Sequence, residues 1–433
     1  MKPAIILSST LCSFLLSLSA YANEETKNNK DEEVHIPPPP LDEKKSQDDE
    51  MDFPDEPFFP PDEGEFDPEA PWSKHVGYDE GFYVRNANNT FSLVFNGMSQ
   101  VRYIYSTVDD LPDYQRFELR RTDLYFSGHF IDESWTYVLG TEAGPNGTFA
   151  TDDVYIAKSF TDSTWGQAGQ FSTPFLRETL ISSTRQLAIE RSLVSKYFST
   201  NNSTGLLFGT ESEMFKWEIA AGNGYFEHDP DQNQNEIDAH NFQNGMTYAF
   251  ISRLEIKPLG NWQEFRGFNS SGINETGLLI GVAAAYQRDN DEANIEETSG
   301  TVDVTFQGGG WSTFAMLAAT KDQNNDHATS YGAQLQGGVF VDEERDTVEL
   351  FSRYEWGDSQ SHAEPLPETD GQDLSVLTAG VNYYIYPRHL KLSTDFGYAF
   401  TSIGENWSDE IDGWRASNES GQFVGRMQLQ LVI

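Results

Sequence analysis

Short segments of alternating apolar and polar residues recur from about residue 91 to the last residue of the chain. In the final segment, GQFVGRMQLQLVI, Phe423, Met427 and Leu429 share one parity, and Arg426 and Gln428 share the other. Successive side chains of a β-strand point to opposite faces, so the segment predicts a strand with one apolar and one polar face. Because a soluble β-sandwich also contains such strands, the number of strands and their connections must decide what the apolar face contacts.

The pattern predicts sixteen strands, preceded by a short lead strand at 82–85. The sixteen strands lie near 91–106, 116–131, 134–142, 151–160, 164–171, 203–210, 214–223, 247–257, 276–288, 300–308, 311–321, 331–341, 345–356, 373–387, 389–401 and 421–433. Connections after even-numbered strands are mostly very short, with 258–275 as the exception, and connections after odd-numbered strands are longer. Short turns at one end and long loops at the other are typical of outer-membrane β-barrels, in which the turns face the periplasm.

Residues 1–22 have the features of a secretory signal peptide. Lys2 precedes an apolar stretch at 5–18, and AYA at 20–22 matches an A-x-A cleavage site. The only cysteine of the chain, Cys12, lies inside this signal. Disulfide bonds, thiolate catalysis and cysteine metal sites are therefore excluded for the mature protein.

Pattern and composition together predict an all-β protein in which residues 81–433 form a 16-stranded antiparallel transmembrane β-barrel. No stretch of the mature sequence reaches the roughly 18 apolar residues that a membrane helix needs. A barrel exposes only every second residue of a strand to lipid, so its average hydropathy is unremarkable. Sixteen strands enclose a lumen that is too wide for side chains to fill, so we expect a water-filled pore.

Residues 23–80 are predicted to form a disordered, acidic, proline-rich periplasmic segment. The stretch 23–75 contains 18 acidic and 5 basic residues and few aliphatic ones, so it cannot bury enough apolar surface to fold. It is either a spacer or a ligand for basic periplasmic material, or a solvated tail without a specific partner. The net charge of −41 disfavours nucleic acid as a partner, although a lineage-wide acidic bias explains this charge equally well.

The longest external connection, 172–202, follows the fifth strand and is the third external loop. It contains more apolar residues than a loop surrounded by water needs, so we expect it to fold into the barrel and narrow the pore. There it would present Arg177, Glu178, Arg185, Glu190, Arg191 and Lys196. Arrays of arginine and lysine in a pore select anions. Alternatively, these cations pair with carboxylates of the wall and only hold the loop in place.

Three motifs give the chain a resemblance to a known family: FELRRTDLYFSG at 117–128, GQFSTPFLRE at 169–178 and ERSL at 190–193. Together they resemble the phosphate-selective porin O and P family of bacterial outer-membrane porins, over about 80–433. The resemblance implies a sixteen-stranded homotrimer whose third loop constricts the pore and whose basic residues select phosphate. The corresponding residues here are Arg120, Arg121, Arg177, Arg185, Arg191 and Lys196. This chain departs from the family pattern in its acidity and in the few lysines of the loop.

The sequence contains no catalytic motif, and its one partial metal motif is incomplete. Residues 229–240 begin like a calcium-binding loop, but Gln234 and His240 replace the required glycine and the final glutamate. We therefore expect no enzymatic activity and no cofactor. The expected function is passive diffusion of small ions, mainly anions including phosphate, through the bacterial outer membrane, in contact with its lipid and lipopolysaccharide. The alternatives are a weakly selective or cation-preferring general porin, and a barrel that serves as an adhesin or envelope tether.

Overall fold

A computed structural model describes residues 75–79, 81–145, 147, 149–224, 246–269, 275–289, 296–322, 329–341, 347–359, 373–386 and 389–433. Within these residues, eighteen strands form one antiparallel sheet. The strands are β1 (Val76–Tyr78), β2 (Phe82–Arg85), β3 (Ser92–Val108), β4 (Leu111–Phe130), β5 (Asp132–Ala143), β6 (Phe149–Thr161), β7 (Thr164–Ser172), β8 (Asn202–Glu211), β9 (Phe215–Gly222), β10 (Met246–Leu259), β11 (Gly277–Asp289), β12 (Glu296–Gly308), β13 (Trp311–Asp322), β14 (Thr329–Phe340), β15 (Val348–Asp358), β16 (Asp373–Tyr386), β17 (Leu390–Ala399) and β18 (Phe423–Val432).

Sixteen of these strands close into a barrel. From β3 to β18 each strand pairs antiparallel with the next one in sequence, and β18 pairs with β3. In the closing pair, Gln428 lies opposite Arg102 and Leu429 lies opposite Val101. The predicted 16-stranded antiparallel barrel is confirmed, and most predicted strand ends lie within a few residues of the observed ones.

The folded part of the chain begins earlier than the sequence predicts. Strand β1 pairs with β2, Val76 opposite Val84, and β2 pairs with β3. The hydroxyl of Tyr78 lies 3.2 Å from Nδ1 of His389, next to β17. Residues 76–78 are therefore folded, although the predicted disordered segment 23–80 includes them. The sequence pattern did not reveal this strand because three residues are too few to show an alternation. The signal peptide at 1–22, residues 23–74 and the partial calcium motif at 229–240 lie outside the described residues.

The first external connection is also shorter than predicted. The sequence places a loop at 107–115, but β3 and β4 continue to Val108 and Leu111 and leave only a turn at 109–110. Polar residues such as Asp113, whose carboxylate accepts a hydrogen bond from the hydroxyl of Tyr105, interrupt the apolar pattern without ending the strand pairing. Backbone N–H and C=O groups can pair beside polar as well as apolar side chains, so the ladder continues here.

The two faces of the barrel wall differ in chemistry. Large apolar side chains such as Leu206, Leu317 and Leu335 are exposed on the outer face. On the inner face, polar side chains such as Glu355 and Asn382 are buried. The described connections contain five short helices: α1 (Arg177–Leu180), α2 (Leu193–Tyr197) and 3-10 turns at Ser183–Arg185, Trp262–Phe265 and Glu405–Trp407. In the described part of the chain, no helix has the length and apolar character needed to cross a membrane.

Candidate pore constriction

The third external connection, residues 173–201, packs against the inner face of the barrel wall; we call it L3. Its side chains Phe175, Leu176 and Val194 are fully buried, in an apolar cluster that also contains Phe314 and Phe351 from the inner faces of β13 and β15. Backbone groups of L3 bond to the same wall. The amide of Ile189 donates to Asp395 of β17 at 3.1 Å, and the amide of Leu193 donates to Glu355 of β15 at 2.6 Å.

Glu190 of L3 is the centre of an ion-pair cluster. Its carboxylate accepts hydrogen bonds from Arg102 of β3 at 2.7 Å, from Arg120 of β4 at 2.7 Å and from Arg121 of β4 at 2.9 Å. Burial disfavours the charged carboxylate, yet the three guanidinium groups hold the pKa of Glu190 well below its usual range. Glu190 is therefore a fixed anion that holds L3 to β3 and β4.

A β-bulge explains how two consecutive arginines reach the same carboxylate. Leu119 lies opposite Val101 and Arg121 lies opposite Gln100, so Arg120 is an extra residue in β4. In a regular strand, Arg120 and Arg121 would point to opposite faces. A bulge re-aims a side chain at such a point, and here both guanidinium groups contact Glu190.

Arg177 and Glu178 also anchor the loop. Arg177 is buried; its Nε donates to Thr305 at 3.0 Å, its Nη1 lies 3.5 Å from Glu255, and its Nη2 donates to the carbonyl of Phe265. Glu178 accepts hydrogen bonds from the amide and hydroxyl of Ser192, the latter at 2.7 Å. Because the side chains of Arg177 and Glu178 are both buried, neither residue presents its charge to a passing ion.

The three remaining sequence-predicted cations are partly exposed. Lys196, in α2, contacts Asp409 and Asp412 of the last external connection, and these carboxylates raise its pKa although burial lowers it. Arg191 donates only to backbone carbonyls, those of Glu178, Thr179 and Ile181, at 3.2–3.3 Å. Among the described residues, no carboxylate lies within ion-pairing distance of Arg191. Arg185, in a 3-10 turn, accepts a backbone bond from Phe268.

Among the described residues, the inward-facing side chains are more exposed on one side of the barrel, here called the open side. From β10 round to β18 and β3, the inward-facing side chains are almost all buried under L3 and other connections. On β4, β5 and β9, by contrast, inward-facing charged side chains remain partly exposed: Arg116, Arg120, Glu142, Lys216 and Glu218. Water and ions can therefore reach charged side chains of β4, β5 and β9, and Arg191 and Lys196 of L3 are partly exposed as well.

Comparison with known families agrees with this geometry. A model described as phosphate-selective porin O and P matches residues 95–402, which is well over half of the chain. The chain belongs to this family. It is a porin of the bacterial outer membrane, and both family and fold indicate a channel rather than an enzyme.

Solved structures share the fold of this porin at low sequence identity. An anion-selective porin from Comamonas acidovorans is 11% identical, with a TM-score of 0.54 over 79% of this chain and 100% of the other. OmpF of Salmonella typhi, in complex with daunomycin, is 12% identical, with a TM-score of 0.53 over 81% and 100%. OmpT of Vibrio cholerae is 10% identical, with a TM-score of 0.51 over 79% and 98%. No significant match is found among curated proteins.

Sequence reasoning missed the part of the porin cluster that comes from the wall and from the last external connection. Arg102 is fully buried and also pairs with Glu118 and, at 3.3 Å, with Asp412. Arg102 stands at a position of the first barrel strand whose side chain points inward, and this position could have identified it as a residue of the cluster. Asp409 and Asp412 lie in a stretch, WSDEIDGW, whose two tryptophans indicate a loop that packs on something.

Proposed function

We propose that this porin passes small ions with a modest preference for anions, phosphate included. The observation that carries the proposal is Arg191, which is partly exposed and, among the described residues, bonds only to carbonyl oxygens. No carboxylate in the described part of the chain is therefore in direct contact with this positive charge. Burial lowers the pKa of Arg191, and the neighbouring charge of Arg121 lowers it further, although Glu178 and Glu190 act in the opposite direction. Two neighbouring guanidinium groups offer an anion several hydrogen-bond donors.

The strongly acidic composition opposes an anion preference, but distance reduces its effect. At physiological salt the Debye length is about 8 Å, so carboxylates on external surfaces are screened from an ion in the constriction. Charges that line the path act at contact distance. The family and the fold shared with an anion-selective porin support the same direction.

A weakly selective or cation-preferring porin is the second candidate, and one observation favours it. Arg120, Arg121 and Lys196 all have carboxylate partners, and the side chain of Glu142 on the open side is 33% exposed. If these pairs cancel the charges of the three cations fully, Arg191 is left to attract anions. The relative permeability of chloride and potassium distinguishes the two candidates.

The test is a reversal-potential measurement across a potassium chloride gradient, with phosphate added as a blocker. We expect a chloride preference in the parent, and a shift toward potassium in Arg191→Gln. Arg266→Gln is the matched control, because Arg266 is exposed in the periplasmic connection and should leave the selectivity unchanged. A parent that prefers potassium at high salt, or an Arg191→Gln variant identical to its parent, would establish the second candidate.

We further propose that the porin assembles as a homotrimer embedded in outer-membrane lipid and lipopolysaccharide. The outer face exposes large apolar side chains on strands around the barrel, among them Leu139, Phe208, Leu317 and Leu431. Such a surface needs lipid or a neighbouring subunit. A heat-modifiable trimer on detergent gels is expected, and migration as a water-soluble monomer without detergent would refute the proposal. A barrel that acts only as an adhesin or tether would show no ion conductance in planar bilayers.

A further inference from the structure

The last external connection, residues 400–422, is a second inward-packed loop; we call it L8. Its side chains Ile403, Trp407 and Trp414 are almost completely buried, although they lie between two strands at the external end of the barrel. The ring of Trp407 lies 4.5 Å from the ring of Tyr197 in α2 of L3. L8 therefore packs directly on L3 and has a defined position beside the constriction.

L8 supplies two carboxylates to the cations of the constriction. Asp412 lies 3.3 Å from Nη1 of Arg102 and 3.7 Å from Nε of Arg120. Lys196 contacts both Asp409 and Asp412. The backbone of L8 takes part as well, because Arg102 donates to the carbonyl of Ile411 at 2.7 Å. In the pairs with Lys196, L3 therefore provides the cation, and L8 provides the two carboxylates that neutralise it.

The two carboxylates differ in exposure. The side chain of Asp412 is 1% exposed, so it acts within the buried cluster. The side chains of Asp409 and Lys196 are 19% and 25% exposed, so this pair borders the open side of the lumen. An ion that passes Lys196 thus meets a cation whose field is reduced by Asp409.

We propose that Asp409 and Asp412 are specificity-determining residues that limit the anion preference of the pore by neutralising Lys196 and Arg120. The inference rests on the proposed function, since it concerns selectivity at the same constriction. The proposed function considers the charges of L3, whereas this inference makes the net charge of the constriction depend on residues of L8 as well. Replacing a carboxylate of L8 with a neutral side chain leaves a cation of the constriction without that partner, so the pore becomes more selective for anions.

The test is Asp409→Asn, measured by reversal potential. Asparagine keeps the oxygen that accepts the amide hydrogen bond of Asp412 at 3.0 Å, so the loop geometry is retained while the charge is lost. We expect the ratio of chloride to potassium permeability to rise about twofold, which is the effect of one partly screened charge near the path. Glu405→Gln is the matched control, because Glu405 is an exposed carboxylate of the same loop and should change little.

A double variant separates direct from indirect effects. If Asp409 acts through Lys196, the change caused by Asp409→Asn disappears in a Lys196→Gln background. Asp412→Asn is a second probe, expected to shift selectivity in the same direction if it inserts. An Asp409→Asn variant that shifts no more than Glu405→Gln, or a shift that persists without Lys196, would overturn the inference. In another outcome, the parent shows no anion preference while the Asp409→Asn variant still shifts toward chloride. That result would refute the proposed function and support this inference.

Discussion

At the scale of single residues, Glu190 shows how one carboxylate organises the constriction. Three arginines, Arg102, Arg120 and Arg121, converge on it from two strands. The sequence predicts Glu190, Arg120 and Arg121 as residues of the constriction, but the alternation of a regular strand does not predict that both arginines point inward. A local bulge, which no sequence pattern marks here, is responsible.

Glu190→Gln is expected to destabilise the packing of L3. Glutamine has the same shape but leaves three buried or nearly buried guanidinium groups with one carboxylate fewer. Removing one partner of a buried ion pair costs about 3–5 kcal/mol. The temperature at which the barrel unfolds in detergent should fall, and the open-channel current should become noisier. Glu419→Gln, an exposed carboxylate of L8, is the control, and equal behaviour of the two variants would contradict the anchoring role.

The pH dependence follows from the same carboxylates. Burial disfavours the charged forms of Glu190 and Asp412, but neighbouring arginines and Lys196 hold both pKa values below the usual range. A carboxylate with a lowered pKa contributes its full stabilisation above its unfolded pKa, about 4, and loses it as the pH falls through the folded pKa. Current noise should therefore be constant from pH 8 to 5 and increase only below about pH 4. A transition between pH 5 and 7 would show that other groups control the loops.

At the scale of elements, the connection 260–276 is the exception among the short turns and has a structural purpose. Its 3-10 turn begins with a capping box formed by Asn261 and Glu264. The buried ring of Phe268 lies 4.7 Å from that of Phe314, and its amide donates to the carbonyl of Arg185 at 3.1 Å. The sequence predicts the unusual length of this connection, but its contact with L3 joins segments about 80 residues apart and becomes visible only in the fold.

Phe268→Ala should loosen L3 from its periplasmic side. Truncating a buried phenylalanine costs about 3–5 kcal/mol and leaves a cavity next to Phe314. We expect faster proteolysis of L3 in the detergent-solubilised porin and larger conductance fluctuations. Phe250→Ala, which truncates an exposed phenylalanine of the outer face, is the control and should leave L3 protected. If L3 remains equally protected in both variants, the connection does not support the loop.

At the scale of the whole molecule, the acidic N-terminal segment and the pore are expected to act independently. Strands β1 and β2 pair with each other and with β3, and Tyr78 contacts His389, so the folded part is anchored from residue 76 onward. Deleting residues 24–70 leaves these contacts intact. Single-channel conductance and selectivity should therefore stay close to those of the parent. A lost or halved current would show that the segment shapes the channel.

The sequence by itself determined the barrel: sixteen strands, their order and their approximate bounds. It could do so because alternation is a local property of consecutive side chains, and turns are marked by local composition. It also identified L3 as a loop that must pack on something. The tertiary structure alone decided which cations contact a carboxylate, because each partner is distant in the chain. Arg102 and Asp412, for example, are 310 residues apart. Six similar cations in the sequence therefore became buried anchors such as Arg177, neutralised cations such as Lys196, and Arg191, which has no carboxylate partner in the described part of the chain.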